Sequence, residues 1–203
     1  MSAVLERIVV KQLGQIEYQA ALRAMKSFSS QRKEATPDEL WLVEHPAVYT
    51  LGQGAKEVVV SNGIPLVKSD RGGEITYHGP GQVVLYALID LARRGIKVKQ
   101  FVALLEQSVI DLVGPRAERK AGAPGVYVGG AKLAALGIRV ARGRSYHGLA
   151  LNVDMDLAPF GAIDPCGFPG LAVTQMKHLG FSMSMEETGK RLAGLLAEGI
   201  ENA

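Results

Sequence analysis

Residues 82–91 read QVVLYALIDL. The run is rich in β-formers and nearly all apolar, the pattern of a strand buried on both faces. A chain with such a strand must cover both sides of a sheet, and other segments can supply the cover. IEYQAALRAMKSFSS, residues 16–30, places Tyr18, Leu22, Met25 and Phe28 at three- and four-residue steps, which predicts an amphipathic helix. VKQFVALLEQSVIDLV, residues 98–113, predicts a second helix. A third opens at Ser184 and Glu187, an S-x-x-E capping box, and runs to about Glu198.

The remaining order is extended. ELWLVEHPAVYTL, residues 39–51, reads as strand interrupted by Pro46, and residues 64–70 add a short strand. GVYVGGAKLAALGIRV, residues 125–140, carries a hairpin signal at Gly129-Gly130. SYHGLALNV, residues 145–153, continues that group. Strands outnumber helices and neighbouring strands look like hairpins, so the fold class is α+β, a largely antiparallel sheet with helices against it. No repeat or linker divides residues 1–203, which read as a single domain.

Composition excludes several classes. Net charge is +3 with a sequence pI near 9.0 and 6% aromatic residues, too little for a dedicated nucleic-acid binder. The basic residues bunch at Arg93, Arg94, Lys97 and Lys99, at Arg116, Arg119 and Lys120, and at Arg139, Arg142 and Arg144. They form solvated faces or a docking surface for an acidic partner. No apolar run reaches the roughly 18 residues of a membrane span, and MSAVLERIVVKQLG lacks the layout of a secretory signal. One cysteine allows no internal disulfide, so a reducing cytoplasm is expected.

Three places attract chemistry. RGGEITYHGPGQ, residues 71–82, packs four glycines around Arg71 and His78, either as an ordinary turn or as backbone that must lie close to a ligand. Cys166 sits in IDPCGFPG, where Pro165, Gly167, Pro169 and Gly170 make a loop that can present a thiol. A lone cysteine is more often a small buried hydrophobe; as a nucleophile it needs a cation or histidine to favour the thiolate. His78 or His147 would give a Cys-His pair. Lys132, just after the Gly129-Gly130 turn and ahead of the apolar LAALGI, is the other candidate, since an ammonium among apolar neighbours exchanges protons more readily; the plain alternative is an exposed hairpin lysine. No metal-ligand spacing, G-x-x-x-x-G-K-[ST] or G-x-G-x-x-G motif occurs, so metals, ATP and dinucleotides lack their common cradles and no cofactor is expected.

RGGEITYHGPGQ, APGVYVGGAKLAALGIRV, YHGLALNV and DPCG occur in that order, with EHPAVYTLG upstream. Together they resemble the lipoyl(octanoyl) transferase family over roughly residues 40–180. Asp164 stands where asparagine is expected and Leu133 where isoleucine is common. The resemblance implies a mixed sheet flanked by helices, similar to the catalytic domain of biotin and lipoate protein ligases. It implies transfer of an octanoyl group from octanoyl-acyl carrier protein to a lysine of lipoyl domains, those of 2-oxoacid dehydrogenases and the glycine cleavage H protein, with no nucleic acid or membrane involved. It places the acyl-thioester nucleophile on Cys166 and its acid–base partner on Lys132. Substrate-binding segments fall on Arg71, Gly72, Gly73, Glu74, Ile75, Thr76, Tyr77 and His78, on Ala135, Leu136 and Gly137, and on Gly148, Leu149 and Ala150. An ATP-dependent lipoate or biotin ligase of the same fold is the nearest rival; a cysteine thioesterase is another.

Overall fold

A computed structural model of the chain describes residues 7–56, 60, 62–163 and 170–203. Its centre is a seven-stranded mixed sheet. The strands are β1 (Val9–Gln15), β2 (Glu39–Glu44), β6 (Gln82–Leu88), β7 (Ala117–Arg119), β8 (Gly125–Val128), β9 (Ala131–Ala141) and β10 (Arg144–Asn152). Their order across the sheet is β1-β2-β6-β10-β9-β8-β7. Only β1 and β2 pair in parallel; the other neighbours are antiparallel. A second sheet, ordered β4-β3-β5, comprises β3 (Val48–Leu51), β4 (Leu66–Lys68) and β5 (Ile75–His78).

The apolar run at 82–91 does what its composition demands. β6 lies inside the large sheet and every residue of it is buried. Val83, Leu85 and Ala87 join one core cluster and Val84, Tyr86 and Leu88 another, because alternate side chains point to opposite faces. Helices α3 (Val98–Val113) and α4 (Met185–Glu201) cover the first face through Phe101, Leu105, Leu192 and Leu196. The Ser184 side chain accepts the Glu187 N–H and caps α4. Helix α1 (Tyr18–Gln31) covers the other face with Ala21 and Met25 against Trp41, Val84 and Ala150. A single turn, α2 (Leu91–Arg94), follows β6.

Pro46 falls between β2 and β3 and sends the chain from the large sheet into the small one. The small sheet has its own core of Tyr49, Leu51, Ile75, Tyr77 and Phe160. It is tied to the large sheet by His78 Nδ1 and Gln82 Oε1, 2.7 Å apart, and by Gly72 N–H to Ile138 O, 2.9 Å. The glycine-rich stretch 71–82 is therefore not a continuous loop, since Ile75–His78 is a strand paired with Val48–Leu51.

Candidate active site

Where the two sheets and α1 meet, a narrow crevice opens. It is lined by Arg71, Gly73, Glu74, Ile75, Thr76 and His78 from the small-sheet side, and by Ala135, Leu136, Gly137, Gly148, Leu149 and Ala150 from β9 and β10. Tyr18, Val84, Tyr86 and His147 complete the wall. Ala135 pairs with Ala150 and Gly137 with Gly148 across β9 and β10, so small residues face each other in two alternate rungs, with Leu136 and Leu149 between them. Free volume is only about 40 Å³, room for a few waters, so a longer ligand must part the lining side chains.

Two of the expected binding residues lie elsewhere. Tyr77 points to the opposite side of β5 from Thr76 and His78, and packs among Tyr49 and Phe160. Gly72 borders a separate hollow beside the crevice. Two glycines, Gly81 and Gly148, answer to the fold itself. A Cβ on Gly81, which has φ +85°, would stand 1.9 Å from Asp154 O, and a Cβ on Gly148 would stand 2.0 Å from Leu85 O. Both positions need glycine because the protein's own backbone passes there, whatever ligand is bound.

One end of the crevice is lined by neutral polar rings. His45 bonds Ile16 O and the Tyr86 hydroxyl, each at 2.7 Å; Tyr18 bonds Ser69 Oγ at 2.7 Å; His78 Nδ1 bonds Gln82 Oε1 at 2.7 Å. Burial pulls the His78 imidazole down to about 3, with nearby His45 and Arg71 adding to the shift. Burial likewise lowers His45 and His147 and raises Tyr18 and Tyr86. All five groups are neutral near pH 7. The neighbouring guanidinium of Arg71 is held by Thr50 O and Oγ1 at 2.6 and 2.8 Å.

His147 stands out within this set. Its backbone has φ +62°, uncommon outside glycine. Nε2 lies 2.9 Å from Asp70 Oδ1, while Lys26 and the Tyr146 hydroxyl hold Oδ2. Those bonds, the one from His147 foremost, keep the Asp70 carboxyl well below its usual range. A neutral His147 donates Nε2–H to this carboxylate, which leaves Nδ1 as an acceptor. That Nδ1 is buried without a hydrogen-bond partner among the described residues.

Lys132 is 3% exposed, which removes the exposed-hairpin reading. It pairs with Tyr127, and its Nζ lies 5.3 Å from the Tyr127 ring centre and 3.4 Å from Pro124 O. Gly125 makes the room, since a Cβ there would meet Lys132 Cε at 3.2 Å. The Lys132 backbone also holds a later segment: its N–H donates to Ala172 O at 2.8 Å and its carbonyl accepts from Thr174 N–H at 2.9 Å. Cys166 lies outside the described residues. Among those described, no group of His, Cys, Asp and Glu could hold a metal ion.

The basic clusters divide. Arg94 and Arg93 close on Asp38 at 2.6 and 2.9 Å, Arg144 on Asp90 at 3.1 Å, and Arg119 on Glu106 at 3.1 Å. Lys97, Lys99 and Arg142 remain on the surface.

This arrangement of a seven-stranded sheet, a small second sheet and a crevice between them defines the lipoate and biotin ligase fold class. A solved bi-partite lipoate protein ligase of Thermoplasma acidophilum superposes with a TM-score of 0.76 at 15% identity, over 95% of this chain and 83% of that one. The biotin protein ligase of Aquifex aeolicus, solved with biotin and ATP, gives 0.58 at 9% identity over 97% of this chain and 71% of that one. Sequence narrows the class. Residues 17–197 match the lipoyl protein ligase A/B catalytic domain, and the chain belongs to that family. It is 57% identical to an octanoyltransferase of Thiobacillus denitrificans over 95% of this chain and 91% of the relative, and 55% identical to one of Dechloromonas aromatica over 95% and 97%.

Proposed function

We infer that this protein is an acyltransferase that moves octanoyl groups in protein lipoylation. It takes octanoyl from the thioester of octanoyl-acyl carrier protein and places it on a lysine of a lipoyl domain, through an acyl-thioester on Cys166. The observation that carries the site assignment is the burial of Lys132 together with its backbone bonds to Ala172 and Thr174, which follow Cys166 closely in the chain.

The Cys166 thiolate attacks the octanoyl carbonyl, and the positive charge of Lys132 favours that thiolate. As the tetrahedral intermediate collapses, the carrier thiol leaves with a proton from Lys132. The acceptor lysine, as a neutral amine, then attacks the Cys166 thioester, Lys132 takes the amine proton, and the thiolate is restored. Thioester to amide is downhill, so the transfer needs no ATP and no cofactor. Backbone N–H groups hold the oxyanion. The acyl chain lies in the crevice against Ala135 and Ala150. No helix among the described residues is long and apolar enough to cross a membrane, in keeping with work in the cytoplasm on dissolved carrier proteins.

The test is a mass measurement on a lipoyl domain mixed with octanoyl-acyl carrier protein and a trace of this protein, without ATP. The domain should gain one octanoyl group on its acceptor lysine. A strict need for ATP would instead favour a ligase, and release of free octanoate whether or not the domain is present would favour a thioesterase.

A further inference from the structure

The sheet has a gap in its edge beside the crevice. Pairing of β8 with β9 ends at Gly125–Ala135, and further along the same edge Gly72 N–H bonds Ile138 O at 2.9 Å. Leu136 and Gly137 lie between. Backbone groups of alternate strand residues point to the same edge, and Ile138 O points to this one. Leu136 therefore presents its N–H and C=O to the gap. A hollow of about 310 Å³ occupies it, walled by Val102 of α3, Ala123, Pro124 and Ile138. It is far roomier than the crevice, and the two adjoin, sharing Gly73, Glu74, Leu136 and Gly137 as a common wall. Pro124, whose carbonyl touches Lys132 Nζ, is part of its wall.

A backbone pair on a strand edge that no described residue meets takes an amide, as an added strand does. The hollow's wall is apolar apart from Glu74, which suits a thin, uncharged chain carrying secondary amides. Resting on the octanoyl-transfer reading, we propose that this notch binds the amide-bearing thiol arm of the thioester donor, one amide pairing with Leu136 while the acyl chain enters the crevice. The acceptor then approaches Lys132 from outside the notch. The notch thus distinguishes a carrier-borne thioester from a simple one.

The experiment measures acylation of the protein alone, without acceptor, using octanoyl-pantetheine and an octanoyl ethyl thioester that has no amides. Val102→Phe and Val102→Trp fill the notch from a partly exposed helix position. The ratio of kcat/KM for the pantetheine donor to that for the ethyl donor should fall about tenfold in the larger variant, as expected for loss of a paired amide and its packing. On the unaltered protein, a donor analogue with an ester in place of the pairing amide should lose about five- to tenfold, which needs no variant to fold. An unchanged ratio in both bulky variants, or an ester analogue as good as the amide, overturns the proposal. So does a variant slowed only in transfer to the lipoyl domain, which would give the notch to the acceptor. Failure of both donors to acylate the unaltered protein would contradict octanoyl transfer itself.

Discussion

Two buried polar clusters sit at opposite ends of the antiparallel pair β2 and β6, and they are built on different principles. At one end Asp38 is wholly buried and receives Arg32, Arg93, Arg94 and the Asp90 N–H. Burial pushes the Asp38 carboxyl up, but the Asp90 N–H and the Arg32 and Arg94 guanidiniums outweigh it and hold it below its usual value. At the other end His45, His78, His147, Tyr18 and Tyr86 are neutral, and His147 keeps an acceptor without a partner. The first cluster is built of charges, an aspartate ringed by guanidiniums, and it leaves the Arg32 Nε donor without a partner among the described residues, away from the crevice. The second is built on neutral rings, with Asp70 and Arg71 as charged neighbours, and the acceptor it leaves unmade is on His147, which lines the crevice and can serve a ligand there. Both are buried and polar; the difference lies in which groups carry charge and in where the open bond faces.

That contrast can be broken from either side. The largest effect is expected at Asp38. Asp38→Asn leaves Arg32 and Arg94 buried without their counter-ion, and should cost about 3–5 kcal/mol in urea unfolding while the folded fraction keeps its octanoyl transfer rate. Lys132→Met should do the reverse: both half-reactions should slow by about 10²-fold or more in rapid-mixing assays. Its thiol should also become reactive at higher pH, read as alkylation rate against pH. An unchanged alkylation profile would remove the electrostatic role of Lys132 and leave the proton transfer.

The two ends also separate on the pH axis. Histidines in the unfolded chain titrate near 6.5, but burial keeps the native ones neutral, His78 down to about 3. Below about pH 6.5 the unfolded chain binds more protons. Stability should therefore fall as pH drops from 6.5, by up to about 1.4 kcal/mol per pH unit for each such histidine. Asp38 is lowered, so its contribution holds above about pH 4 and is lost only below that. Urea midpoints between pH 7 and 4.5 should show the histidine slope, and His78→Gln should shallow it. The same slope in the variant would mean that His78 is charged in the native state.

Smaller effects test the crevice and the surface. Ala135→Leu or Ala150→Leu should shift preference from octanoyl toward butyryl donors about tenfold, because each adds bulk to the crevice proposed to hold the acyl chain. An unchanged octanoyl-to-butyryl ratio would move the chain elsewhere. Arg142→Glu, at an exposed residue of the β9–β10 turn, should raise KM for an acidic carrier a few-fold and flatten its salt dependence, while sparing a small octanoyl thioester. Equal loss with both donors would mean damage to the fold.

The elements legible in the sequence are those whose signal is local. β6 showed in its apolar run, α3 and α4 in their periodicity and cap, and β8–β9 in the Gly129-Gly130 turn. β1 was not legible because all its residues are exposed and its place is set by parallel pairing with β2. β5 was hidden among glycines that suggest a loop. The knot at Asp38 was invisible because its partners Arg93 and Arg94 lie more than fifty residues away; read locally, they look like a solvated basic cluster. Tyr18 and Tyr86 looked like core positions on a helix and a strand, and only the meeting of α1, β5 and β6 turns them toward a crevice. In the sequence His147 stands only as a possible partner for the cysteine; its unusual φ and its bond to Asp70 have no local signal.

The central claim is that octanoyl rests on Cys166 between donor and acceptor. Intact mass of the protein after mixing with octanoyl-acyl carrier protein, without lipoyl domain, tests it most directly. The account predicts one octanoyl adduct on the unaltered protein, lost when lipoyl domain is added, and no adduct on Cys166→Ala. Transfer at a normal rate by Cys166→Ala would contradict it.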